Sequence, residues 1–284
     1  MKRLLFFFLA VLVAPPGHTA ELMQFAVDGH ARKVLMTRPA GQGPHPTLIV
    51  MHGGGGTAEL ELQLSGLSQL GPRDGFVAAF PEAMGGYWNF FTPGRETKQY
   101  VRLFQHLGGV PDDVAFLRAL TRNLAQNGIA DPQRTYLVGR SIGGIMALRL
   151  ACIDAQNFAA IGLLVSGMPD VTGADCHPPK PLPVLMINGT ADRVLPYGGL
   201  RSPLGDSLWS TQRLVDFFSR LNGCAEATHQ IVSTEHIPNV VIERSIGCAG
   251  GPVVLYRIVG GGHAIPAALN ASQVLLDFFR DKTR

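Results

Sequence analysis

The chain has 284 residues, enough for one large α/β domain or two small ones around a substantial core. A hydrophobic share of 46% argues against disorder, and a charged share of only 16%, with 34 glycines and 20 prolines, points to many turns around a compact scaffold. The net charge of +3 rests partly on Lys2 and Arg3, and no dense basic patch occurs elsewhere, so composition gives no basis for a nucleic-acid or membrane-surface partner.

Residues 1–20 read as a secretory signal. Lys2-Arg3 is a positive start, Leu4–Val13 an apolar core too short to cross a bilayer, and Pro15-Pro16-Gly17 and Ala20 follow as a break and a small cleavage residue. No cysteine stands nearby to take a lipid anchor. The mature chain, 21–284, is expected to be exported and to form one catalytic domain without a membrane segment.

Leu22–Val27 and Lys33–Arg38 read as two short strands with Asp28-Gly29 in the turn between them. After a loop at Gly41–Pro46, Thr47–Met51 is a continuous apolar run of the kind buried on both faces of a parallel sheet. His52-Gly53-Gly54-Gly55-Gly56 follows at once. A helix is expected from near Glu59 to Leu70, then a buried strand at Phe76–Phe80 stopped by Pro81. From Glu82 to Val110 the periodicity is lost while Tyr87, Trp88, Phe90, Phe91, Tyr100 and Phe104 cluster, which reads as an ordered loop flanking a site, the equal alternative being a satellite cluster that covers the sheet.

Pro111-Asp112-Asp113 opens a helix with acids in its first turn, and Asn127-Gly128 closes it. Thr135–Val138 is a strand running straight into Gly139-Arg140-Ser141-Ile142-Gly143, and Ile145–Leu150 continues as a helix. Strand, tight turn and helix are the context of a nucleophile elbow, in which small residues flank the serine and the helix start aims its free N–H groups at a developing oxyanion. Ala159–Val165 and Pro183–Ile187 are further buried strands. Asp206–Leu221 reads as a helix with Asp206 as its cap, Gln230–Val232 with Val240–Arg244 as a hairpin, Val253–Ile258 as the last strand, and Ala267–Phe279 as a final amphipathic helix. Strands alternating with helices imply right-handed parallel crossovers, hence an α/β fold with helices on both faces of a mostly parallel sheet.

A serine hydroxyl is a weak nucleophile near neutrality and needs a base, which in turn needs an orienting anion. Asp192 follows the strand ending at Ile187, in Asn188-Gly189-Thr190-Ala191-Asp192. Asp170 and Asp175 fall in a Pro/Gly-rich loop instead. His263 follows the last strand on Gly260-Gly261-Gly262, whose lack of side chains allows close approach. His229 and His236 precede that strand and read as surface residues. The order Ser141, Asp192, His263 suits an α/β-hydrolase. The oxyanion donors are expected to be the N–H of Ile142 and that of Gly54, with Gly55 as the second choice for the latter. Four cysteines allow three pairings, and chain order favours Cys152–Cys176 and Cys224–Cys248, with free thiols the alternative.

These stretches, with Asp112–Phe116, Val194-Leu195-Pro196-Tyr197, Gly223-Cys224 and Gly247-Cys248, resemble the secreted α/β-hydrolase esterases grouped as polyhydroxybutyrate depolymerases and feruloyl or acetyl-xylan esterases. The resemblance implies ester hydrolysis without metal or cofactor. It places the catalytic roles on Ser141, Asp192 and His263, supports the Cys224–Cys248 pairing, and suggests substrate binding near Trp88-Asn89. The sequence departs from the family pattern at Ile265, where many relatives have tryptophan, at Asn188, where histidine is common, and at Arg140 in the elbow. The expected activity is that of an exported serine esterase on a small, polysaccharide-linked or polyester-oligomer ester. The alternatives are a serine peptidase of the same fold and a non-catalytic glycan- or polymer-binding protein using the aromatic stretch.

Overall fold

Apolar runs bounded by turns become the strands of one sheet in the computed structural model, which describes residues 20–27, 29–201, 207–225, 229–233, 237 and 239–284. The expected leader, Asp28, Asp206 and His236 lie outside these described residues, apart from Ala20. Strands β1 (Glu21–Val27) and β2 (His30–Thr37) pair antiparallel as a hairpin. Then come β3 (His45–Met51), helices α1 (Ala58–Leu64) and α2 (Leu67–Arg73), and β4 (Val77–Pro81). The single helix expected at 59–70 is in fact two, because Gly66 adopts φ +69 and breaks it. The stretch 82–110 is not loop throughout, since Thr97 caps a short helix, α3 (Lys98–Phe104).

Asp112 accepts the Ala115 N–H and starts α4 (Asp113–Gln126) as expected. Next stand β5 (Ala130–Arg140), α5 (Ile142–Asp154), β6 (Ala160–Leu164), the single turn α6 (Asp170–Gly173) and β7 (Val184–Gly189). Helix α7 (Thr211–Leu221) begins later than the sequence suggests, because the cap is Ser210, whose hydroxyl accepts the Arg213 N–H. The chain ends with β8 (His229–Ser233), β9 (Val240–Ser245), β10 (Val253–Ile258) and α8 (Ala271–Phe279). Residues 267–269 form a separate 3-10 turn, since Asn270 at φ 43 interrupts the helix expected from Ala267.

The strand order is β1-β2-β4-β3-β5-β6-β7-β10-β9-β8. The six central strands, β4 to β10 in that order, are parallel, and antiparallel strands flank them on both sides. Side chains alternate between faces, as a pleat requires. Ile49 and Met51 join the core under α4, α5 and α7, while Leu48 and Val50 join the core under α2 and α8. A Cβ at Gly162 would lie 2.3 Å from Leu275, so the helix α8 rests directly on the sheet there. Burial of Leu214, Val215 and Phe218 at helical spacing fixes α7 on the opposite face. Among the described residues, no helix is long and apolar enough to cross a membrane.

Candidate active site

The parallel strands deliver their loops to one edge of the sheet. At the end of β5, Ser141 stands at φ 52, ψ −120, a conformation a non-glycine residue adopts only when its surroundings enforce it. The segment at the end of β6 does so. The Ser141 N–H donates to Leu164 (2.9 Å), the Ser166 hydroxyl donates to the Ser141 carbonyl (2.8 Å), and the neighbouring strand end carries its own positive φ at Val165 (43°). Close packing explains the elbow's small residues. A Cβ at Gly139 would come within 2.2 Å of the Gly143 carbonyl oxygen, and one at Gly143 within 2.4 Å of that of Met51.

The three side chains nominated from sequence meet here. His263 Nε2 lies 2.9 Å from Ser141 Oγ, and His263 Nδ1 lies 2.7 Å from Asp192 Oδ2. The remaining Asp192 oxygen accepts the N–H groups of Val194 (2.8 Å) and Leu195 (2.9 Å), so the buried carboxylate is fully engaged and fixed in direction. The loops bearing acid and imidazole are bonded to each other. Thr190 N–H donates to Ile258, Ala191 N–H to Gly261, and Gly260 N–H to the Thr190 hydroxyl. A Cβ on Gly189 would strike the Gly261 carbonyl at 2.3 Å, so no other residue permits this approach.

The glycine loop after β3 lies against the elbow. A Cβ on Gly53 would be 3.6 Å from that of Ser141, and one on Gly54 would be 3.5 Å from Ile142 Cγ2. The Gly55 N–H is taken by the Gly86 carbonyl (2.9 Å) and the Gly56 N–H by that of Gly53 (3.1 Å). Among the described residues no backbone carbonyl takes the N–H of Gly54.

Sequence reading did not identify what braces this loop. His52 is buried, with Nδ1 2.7 Å from the Gly53 carbonyl and Nε2 accepting the Ala83 N–H at 3.1 Å. That pattern needs a neutral imidazole, and burial lowers its pKa accordingly. Trp88, also buried, donates its indole N–H to the His52 carbonyl (2.9 Å), and Tyr100 bonds the Trp88 carbonyl. Asn89 is enclosed too, donating to Pro111 (3.0 Å) and Asp113 (2.7 Å) and accepting from Phe91. The Trp88-Asn89 pair therefore does not line an opening. Its polar atoms are spent holding the aromatic stretch against the glycine loop.

Other unexpected roles follow the same logic. Buried Asp113 faces the equally buried Arg32, whose guanidinium lies 4.0 Å over Phe116; burial raises the Asp113 pKa against the pull of that cation. Elbow residue Arg140 reaches back to Glu61 on α1 (3.2 Å), a carboxyl that burial pushes upward despite its partner. Asn188 ties β7 to the end of β6 through both Ser166 backbone groups and to α7 through the Thr211 hydroxyl. No local motif announces these contacts, because their partners are remote in sequence. Both expected disulfides are present, Cys152–Cys176 joining α5 to the loop after α6, and Cys224–Cys248 closing the approach to the β8–β9 hairpin.

Comparison with known proteins places this geometry among esterases. The chain is 30% identical to "Putative esterase NocK" of Nocardia uniformis subsp. tsuyamanensis over 252 residues, which is 84% of this chain and 69% of that protein. It is 28% identical to feruloyl esterase B of Piromyces equi over 247 residues, 82% of this chain but only 42% of that longer protein. An acetyl xylan esterase from Aspergillus awamori shares the fold with a TM-score of 0.65, over 92% of this chain and 99% of that one, at 14% identity. No family model matches the chain.

Proposed function

Because the chain belongs to the α/β-hydrolase family of feruloyl and acetyl-xylan esterases and is a carboxylic-ester hydrolase, we propose that it works as an exported serine esterase through Ser141, His263 and Asp192. The observation that carries this reading is the unbroken hydrogen-bonded chain from Ser141 Oγ through His263 to Asp192, at 2.9 and 2.7 Å. His263 Nε2 takes the hydroxyl proton as Ser141 Oγ attacks the ester carbonyl. Asp192 holds Nδ1 protonated and stabilises the imidazolium that forms. The N–H groups of Ile142 and Gly54 receive the oxyanion. The tetrahedral intermediate collapses, His263 returns the proton to the leaving alcohol, and water then attacks the acyl-enzyme with the same base.

Export is supported by the leader-like segment at residues 1–20 and by two disulfides, which persist in oxidising compartments. The substrate range proposed from the relatives' names covers feruloylated and acetylated polysaccharide and related small esters. Full burial of Trp88 and Phe104 weakens the support for a polymer-binding platform on the aromatic stretch. The test is Ser141→Ala, expected to abolish nearly all p-nitrophenyl acetate hydrolysis while keeping the wild-type melting temperature. Full activity in that variant overturns the assignment.

A further inference from the structure

On the same edge of the sheet as Ser141, a cleft of about 370 Å³ opens between Phe91, Pro169, Val171, Leu195, Leu200 and Leu208. Its walls grow from loops that touch the triad. Leu195 donates its N–H to Asp192, and Pro169 stands three residues beyond Ser166, which holds the Ser141 carbonyl. The volume and apolar lining are those of a small-ligand site, where a few placed polar groups decide what enters.

Here the placed group is Arg95. It lines the cleft, is about half exposed, and is held by Nη1 on Asp175 Oδ2 at 2.6 Å, an oxygen that the Thr92 hydroxyl also reaches at 3.0 Å. Among the described residues nothing bonds Arg95 Nε or Nη2, so one edge of the planar fork stays open. Its neighbour Glu96 is turned back onto the Gly94 N–H (2.9 Å). Arg149, buried in α5, forms no salt bridge among the described residues, and Asp175 is the acid whose charge acts on it most. The bonds from Arg95 and Thr92, with the field of Arg149, hold Asp175 below the usual carboxylate range. Asp175 is thus shared between the bonded Arg95 and the field of Arg149, and Arg95 brings a half-exposed positive charge to the lining of an apolar cleft.

We propose that this cleft receives the apolar chain of an ester whose far end is a carboxylate, and that Arg95 is the specificity-determining residue that takes that carboxylate on its Nε–Nη2 edge. A guanidinium edge matches a carboxylate with two parallel hydrogen bonds, which a methyl end cannot form. The inference rests on the esterase reading, since Ser141 must attack the ester at the near end. It selects half-esters and similar acid-terminated esters over neutral esters of equal length.

The experiment compares monomethyl suberate with methyl octanoate, equal in chain length and differing in carboxylate against methyl, on purified mature protein. Active sites are counted by fluorophosphonate labelling. Wild type is expected to prefer the suberate by about fivefold or more in kcat/KM. Arg95→Gln should erase that preference, mainly through KM, and Arg95→Lys should keep part of it as charge without the fork. Equal rates on the two esters in wild type, or an Arg95→Gln variant that keeps the preference, overturns the proposal. Turnover of p-nitrophenyl acetate separates the two readings. If wild type cleaves it yet shows no carboxylate preference, only this inference fails; if wild type does not cleave it, the esterase reading itself fails.

Discussion

Replacing Gly143 by alanine tests how tightly the elbow and the glycine loop are joined. A Cβ there would stand 2.4 Å from the Met51 carbonyl oxygen and 2.5 Å from that of His52, where ordinary contacts begin near 3.4 Å. Both obstacles are backbone, so the start of α5 and the end of β3 must separate by about 1 Å. Overpacking of that size costs about 1–3 kcal/mol. At roughly 2–4 °C per kcal/mol for a chain of this size, the melting temperature falls by several degrees. The catalytic loss is larger. The same displacement moves the Ile142 and Gly54 N–H groups apart, and a donor that retreats from about 3 to about 4 Å no longer bonds the oxyanion. Losing one such donor costs about 10²–10³ in kcat. The assay is p-nitrophenyl acetate hydrolysis well below the melting temperature, normalised to fluorophosphonate-labelled Ser141. Gly198→Ala, whose Cβ would meet nothing within 4 Å, serves as the control and keeps wild-type kcat. A folded Gly143→Ala protein with kcat within about threefold of wild type refutes the reasoning, which rests on donor placement.

Asp192→Asn should keep the bonds to Val194 and Leu195 through Oδ1 but present an amide N–H to His263 Nδ1, imposing the wrong tautomer; kcat drops by about 10⁴ with KM little changed, and a loss under about tenfold contradicts the role given to Asp192. Burial holds the His52 pKa below its ordinary 6.5, so proton uptake favours the unfolded chain. Its stabilising contribution is whole above pH 6.5 and is lost as pH falls through the folded-state value. His52→Gln should start less stable but lose less melting temperature on acidification than wild type; parallel melting curves across that range count against the neutral imidazole. Removing both Cys224 and Cys248 as serines opens a loop spanning 24 residues. The chain-entropy model gives about 3 kcal/mol, a drop of roughly 6–12 °C in calorimetry, and an unchanged melting temperature rules out that contribution.

The central architecture was legible because its signals are local. Thr47–Met51 and Val253–Ile258 are apolar enough to be buried on both faces, and each leads straight into glycines that only a close backbone approach explains. Ser141, Asp192 and His263 could be nominated because each follows a strand in the order the chemistry needs. The misread parts turn on backbone angles or distant partners. Gly66 and Asn270 break helices whose apolar spacing continues across them. The aromatic stretch reads as an ordered loop flanking a site, but its letters do not show that Trp88 bonds a carbonyl 36 positions earlier. Asn188 and Arg140 depart from the family pattern, and each has its own partner, Ser166 and Glu61, that no local motif could reveal.

The mutual bonding of the Thr190–Asp192 and Gly260–His263 loops has a mechanical consequence. Carboxylate and imidazole are fastened to each other on β7 and β10, whereas the hydroxyl stands on β5 and is linked to β7 only through β6 and the Asn188–Ser166 bonds. A displacement of β5 against β7 is therefore expected to widen the gap between imidazole and hydroxyl before it parts imidazole from carboxylate.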